Sequence, residues 1–96
     1  MIAQASCNKD IIMEHTIRHL AEIRRFETIV EGHIAYVDYD IKDGTLVITK
    51  TFVPKPIKGR GIAGELVATA YAFADEVGLR RAATCSYAAT WLARHS

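Results

Sequence analysis

Thr51 to Leu66 reads Thr-Phe-Val-Pro-Lys-Pro-Ile-Lys-Gly-Arg-Gly-Ile-Ala-Gly-Glu-Leu, and this stretch constrains the chain more than any other. An alternating β-branched and aromatic run stops at Val53-Pro54, and a loop with two prolines follows. Gly59-Arg60-Gly61 then opens a long apolar-periodic segment. Strand, glycine-rich basic turn and helix start together form a cradle suited to phosphate. Glycines let backbone N–H groups approach an anion, and the helix start adds unpaired donors and a favourable dipole. The same turn also serves simply to cap helices, so its neighbours decide its meaning.

Tight turns divide the chain before this stretch. Arg24 to Val30 alternates as a strand, with Phe26, Thr28 and Val30 on one face. Glu31-Gly32 fits a two-residue hairpin turn, His33 to Asp40 returns, and Asp43-Gly44 marks the next turn. Thr45 to Val53 is a third strand, and strict alternation puts Leu46, Ile48, Lys50 and Phe52 on one face. Lysine is the odd member of that set. The spacing after the loop predicts a helix over Ile62 to Val77, with a stripe of Ile62, Leu66, Ala70, Phe73, Ala74 and Val77. Gly78 suits a left-handed C-terminal cap. Leu79 to Thr84 reads as a strand parallel to the one before the helix. Ser86 suits the N-cap of a last helix through Tyr87, Trp91 and Leu92, ending near His95. The fold class is α+β: an antiparallel meander, a β-α-β unit and a terminal helix.

The N-terminal side is ambiguous. Ile12, His15, His19, Ile23 and Phe26 recur at helical spacing, while Thr16 to His19 equally suits a short strand. His15 and His19 at i, i+4 would be half a zinc site on a helix. No third ligand is apparent, so no metal is expected. His33 and His95 are expected to be solvated.

Composition bounds the rest. Ninety-six residues, half of them hydrophobic, make one small domain with a modest core. A net charge of +1 lacks the basic excess of nucleic-acid domains. Two cysteines, Cys7 and Cys85, are too few for a disulfide framework. No apolar run approaches the ~18 residues of a membrane span. A soluble protein in a reducing, cytoplasmic setting is expected, with neither a nucleic-acid nor a membrane partner.

Several motifs together carry a resemblance. The run Lys58-Gly59-Arg60-Gly61-Ile62-Ala63 looks like the acyl-CoA pyrophosphate loop of the Gcn5-related N-acetyltransferase superfamily, with Lys58, Gly61 and Ala63 at its defined positions. The chain from His19 onward resembles the minimal single-domain branch. It carries His19 with Phe26, Ala35-Tyr36-Val37-Asp38-Tyr39, Thr51-Phe52-Val53-Pro54, the glycine loop, Cys85-Ser86-Tyr87 and Arg94-His95, in order. Lys58 stands where arginine or glutamine is usual, and Lys50 where the branch often has a histidine. The resemblance implies a short strand and loop before Arg24, an extension over residues 1–15 and one acyl-CoA-binding domain over 16–96. It further implies that the strands ending at Val53 and Thr84 splay apart to admit the ligand.

By that resemblance, the chain moves an acetyl group from acetyl-CoA to an amine, a small molecule or a protein lysine. The alternative is a CoA-binding module with little turnover. Phe52 and Val53 would pair with pantetheine, and Lys58, Gly59, Arg60, Gly61, Ile62 and Ala63 would hold the pyrophosphate. Ser86 and Trp91 complete the cofactor-binding set. Three residues are catalytic candidates. Cys85 ends a strand just before a helix, where a thiol pKa falls towards the reactive range; small free cysteines also serve as buried filler. Lys50 would serve as a base if buried, or be turned out by a bulge or by snorkelling. Tyr87 would donate a proton or merely pack. A monomer or weak homodimer is expected.

Overall fold

The computed structural model describes residues 16–95. The proposed extension over residues 1–15, with Cys7, Ile12 and His15, lies outside the described residues. Strand β1 (Arg18–Leu20), a 3₁₀ turn (Ala21–Ile23), β2 (Arg25–Val30), β3 (His33–Lys42) and β4 (Thr45–Phe52) come first. A second 3₁₀ turn (Lys55–Ile57), helix α1 (Ile62–Val77), strand β5 (Arg80–Ala83) and helix α2 (Ser86–His95) complete the chain. One five-stranded sheet runs β1-β2-β3-β4-β5. Its first four strands are antiparallel, and β5 lies parallel to β4. The α+β class, the meander, the crossover and the terminal helix are all present.

Local chemistry explains the turns. Glu31 and Gly32 have φ of 52° and 80°, and Asp43 and Gly44 have 51° and 73°. Both are two-residue hairpins whose positive φ matches the twist of the strands they join. At the end of α1, the Gly78 N–H reaches the Asp75 carbonyl (3.3 Å) and the Leu79 N–H reaches Ala74 (2.8 Å). Gly78, at φ 81°, thereby closes the helix with a Schellman motif.

The core forms between one sheet face and α1. Val37, Leu46 and Ile48 on the sheet meet Ile62, Leu66, Val67, Ala70 and Tyr71 on the helix, all nearly inaccessible to water. The helix stripe therefore includes Val67 and Tyr71, whereas Val77 is half exposed. Burial pushes the Tyr71 hydroxyl pKa up to about 12, with the Cys85 sulfur adding to the shift. That hydroxyl donates to the Ala82 carbonyl at 2.5 Å, tying α1 to β5.

The short strand implied before Arg24 is present as β1, and it overrides the helical periodicity around His19, because His19 pairs with Phe26 across an antiparallel ladder. Two sequence expectations are corrected. The single face expected for Leu46, Ile48, Lys50 and Phe52 is broken by a bulge. Asp38 opposes Lys50 while Tyr39 opposes Ile48, so Thr49 is an extra residue in β4. Past it, Thr51 and Val53 share the core-facing side with Ile48, and Lys50 and Phe52 point to the opposite face. The last correction concerns α2. Cys85, not Ser86, is its N-cap, since the Cys85 carbonyl accepts the first helical bond from the Ala89 N–H at 3.0 Å.

His19 is set among aromatic rings. It stacks on Phe26 at 4.1 Å, meets Phe73 edge-on at 4.5 Å, and its Nε2 lies 2.6 Å from the Tyr39 hydroxyl. The residue is exposed, but the rings packed against it partly desolvate the imidazole and lower its pKa from 6.5, so the folded state favours the neutral form. Between the folded value and 6.5 the unfolded chain binds more protons, so stability rises with pH across that window. The stabilisation is whole above 6.5 and is lost as pH falls through the folded value. Urea midpoints measured across this range should drop on acidification, and His19→Phe should flatten the slope.

Candidate functional site

The site is built where β4 and β5 stop pairing. Their parallel ladder runs from Thr45 with Arg80 to Ile48 with Ala83. The Thr84 and Cys85 N–H groups then both reach the Ile48 carbonyl, at 3.0 and 3.3 Å. Beyond this point β4 continues through Phe52, while the chain after β5 turns into α2. The strands therefore splay, leaving an edge of β4 facing a gap.

The glycine loop closes one end of that gap. Pro54 leads into the Lys55–Ile57 turn, and fully buried Ile57 pins the loop to the core. Gly59 and Gly61 have φ of 82° and 75°, which only glycine adopts at little cost. A Cβ at either would meet nothing within 4 Å, so backbone conformation, not crowding, requires them. Gly61 is the N-cap of α1 and offers no capping side chain. The first helical bond is made by the Glu65 N–H to Gly61, at 3.1 Å. The three amides before it, on Ile62, Ala63 and Gly64, precede the helical ladder and keep the donor character of a helix start. A cavity of about 290 Å³ lies against them, lined also by Val53, Ile57, Lys58 and Tyr87.

A second cavity, of about 270 Å³, shares Gly64 and Tyr87 with the first and follows α2 past Thr90, Trp91, Arg94 and His95. Trp91 and His95 stack at 4.0 Å, with planes 10° apart. The His95 Nδ1 lies 2.8 Å from the Trp91 carbonyl; because a carbonyl only accepts, Nδ1 carries the proton. His95 is exposed, as expected, and is also held in a fixed orientation. Thr90, Arg94 and His95 were missed as site residues, although their i, i+3 and i, i+4 spacing from Tyr87 and Trp91 could have placed them on one face of α2.

Cys85 sits at the other end of the gap. Its Sγ lies 3.3 Å from the Thr51 hydroxyl, across the splayed strands. Burial pushes the thiol pKa up, but the Thr51 hydroxyl and backbone N–H groups of Ala88, Tyr87 and Thr51 outweigh it, holding Cys85 below the ordinary 9.0. These are the contacts a thiolate at a helix N-terminus receives. Thr51 was missed because its position depends on the bulge.

The remaining candidates divide. Val53, Gly59, Gly61, Ile62 and Ala63 line the first cavity, and Lys58 stands at its rim without an ion-pair partner among the described residues. Trp91 lines the second cavity, and Ser86 begins α2 as an exposed residue. Lys50 lies on the opposite sheet face, its ammonium 5.7 Å from the Tyr36 ring, and Phe52 packs against the same ring at 5.5 Å. The structure does not bring Lys50 to Cys85. Arg60 reaches out of the loop to Glu31.

A family model described as GCN5-related N-acetyl-transferase matches residues 25–96. The chain belongs to that family. The match spans β2 to the end of the chain and so includes the splayed strands, the glycine loop and Cys85. Acyltransferase chemistry is the class of activity this N-acetyltransferase membership carries. A search of curated proteins finds no match. Among the described residues, no helix is long and apolar enough to cross a membrane. No group of three His, Cys, Asp or Glu side chains among them would hold a metal ion.

Proposed function

We propose that the chain transfers an acetyl group from acetyl-CoA to an amine, in a cytoplasmic setting. The observation that carries this reading is the alignment of three features along one gap. An anion cradle opens α1, an edge of β4 lies free of β5, and a hydrogen-bonded thiol sits 3.3 Å from Thr51. CoA has a matching order of parts: pyrophosphate, an amide-bearing arm and a sulfur.

In this reading Lys58 and the amides of Gly59 to Ala63 hold the pyrophosphate. Charge-assisted bonds of this kind contribute about 1.5–3 kcal/mol each. Backbone groups of β4 near Phe52 and Val53 pair with the amides of the arm, as an added strand would. The Phe52 side chain, turned to the other face, takes no part in that pairing. Tyr87 and Trp91 pack against the ligand where the two cavities meet. A backbone N–H near Val53 faces the thioester oxygen as charge develops on it.

The acceptor amine forms the new C–N bond as the C–S bond breaks. Cys85, as thiolate, takes the proton released from nitrogen and returns it to the departing CoA sulfur. Thr51 and the α2 amides hold the sulfur in the form that accepts the proton. The Tyr87 hydroxyl, beside Gly64 at the start of α1, offers a further hydrogen bond to the ligand where the two cavities meet.

Calorimetry with CoA tests the binding half, and no heat at millimolar ligand would end the proposal. Single turnover of labelled acetyl-CoA with a mixed amine pool tests the chemistry. Acetylated amine is the expected product. Tight binding with no transferred label would instead identify a binding module.

A further inference from the structure

The loop contains a second cation that is turned away from the cradle. Arg60 lies between Gly59 and Gly61, yet its guanidinium reaches Glu31, 29 residues earlier in the chain. The pair is a two-pronged fork: Arg60 Nη1 donates to Glu31 Oε2 at 2.7 Å, and Nη2 donates to Oε1 at 3.2 Å. Glu31 is aimed by its own backbone, being the first residue of the β2–β3 turn at φ 52°. A hairpin tip thus holds the loop arginine from outside.

We propose that Glu31 is a positioning residue that sets the anion affinity of the glycine loop by holding Arg60 away from it. This rests on the reading of the loop as the phosphate cradle. The pair is exposed, with 41% and 61% of the two side chains accessible. An exposed pair in water is a weak tie. A guanidinium meeting a diphosphate at a helix start makes stronger charge-assisted bonds. Phosphate and Glu31 therefore compete for one fork, and Glu31 lowers the affinity by its share of that competition. Loop order does not depend on the tie, because buried Ile57, Pro54 and the two positive-φ glycines already fix the turn. Freeing Arg60 consequently strengthens anion binding.

The balance also gives a salt signature. Wild-type loop and ligand meet with Lys58 exposed and Arg60 already neutralised. Without Glu31, Arg60 adds one more cation to the contact, so binding falls more steeply as salt rises.

Calorimetry with CoA, inorganic pyrophosphate and pantetheine, on wild type and Glu31→Gln, tests the proposal. Glu31→Gln should tighten CoA and pyrophosphate about three- to tenfold, with a steeper salt dependence, and leave pantetheine unchanged. The same substitution in an Arg60→Gln background should have no effect, which isolates the pair. Unchanged or weaker binding by Glu31→Gln overturns the inference, as does an equal gain in the Arg60→Gln background. Wild type that binds pyrophosphate but not CoA would end the acetyl-CoA reading while the Glu31 comparison still stands. Wild type that binds neither overturns both.

Discussion

Gly61→Glu should abolish CoA binding, by at least ~100-fold, because it costs the site about two charge-assisted contacts of 1.5–3 kcal/mol each. Gly61 caps α1 at φ 75°, and its neighbouring amides are the proposed donors to the pyrophosphate. A carboxylate there repels the pyrophosphate and competes for the same N–H groups. Backbone strain is a separate cost: a residue with a Cβ pays roughly 1–2 kcal/mol in this conformation. Gly61→Ala carries that strain without the charge, and its Cβ would meet nothing within 4 Å. The alanine variant should therefore lower the melting temperature while keeping most of the affinity. Calorimetry and thermal melts on both variants separate the two costs. A glutamate variant that binds CoA as wild type does would place the phosphate elsewhere.

The second large effect falls on turnover. Cys85→Ala should reduce the single-turnover rate by ~10²- to 10⁴-fold, the range for losing a positioned proton carrier, while CoA affinity changes little. Cys85→Ser keeps a small capping group but not a readily ionised one, and should be nearly as slow. The thiol pKa lies below 9.0 despite burial, since Thr51 and the α2 amides favour the thiolate. The rate should accordingly rise with pH and level off before an ordinary thiol would. Iodoacetamide labelling of Cys85 should follow the same curve, and Thr51→Val should shift both curves upward in pH. Full turnover by Cys85→Ala would reduce the thiol to a helix cap.

Much of this architecture was legible because it is local. Glu31-Gly32 and Asp43-Gly44 announce their hairpins, Gly59 and Gly61 their loop, and Gly78 the end of α1, because each needs a backbone geometry few residues supply. What escaped depends on partners distant in sequence. The strand around His19 is fixed by pairing with Phe26, so its own periodicity misleads, and only the family resemblance pointed to it. The bulge at Thr49 is hinted at only by Lys50, a cation on an otherwise apolar face, since Thr-Lys-Thr alternates equally well with or without it. Cys85 became the cap of α2 because the ladder with β4 ends at Ile48, a matter of register. The fork between Arg60 and Glu31 joins two turns that neither segment foretells.

Thr49 has a consequence for how this chain tolerates change. A strand alternates with period two, and the bulge takes up the extra residue, so the residues after it keep their faces. Its side chain is exposed and its hydroxyl donates to the Asp38 carbonyl at 3.3 Å, so substitutions there should be mild. Deletion of Thr49 should be mild as well: Ile48 followed directly by Lys50 is plain alternation opposite Tyr39 and Asp38, so Lys50 stays outward and Thr51 stays beside Cys85. Loss of two residues between Ile48 and Thr51 is different in kind, because it turns Thr51 to the opposite face and away from Cys85. The bulge is thus slack of one residue, and the gap tolerates that loss and no more.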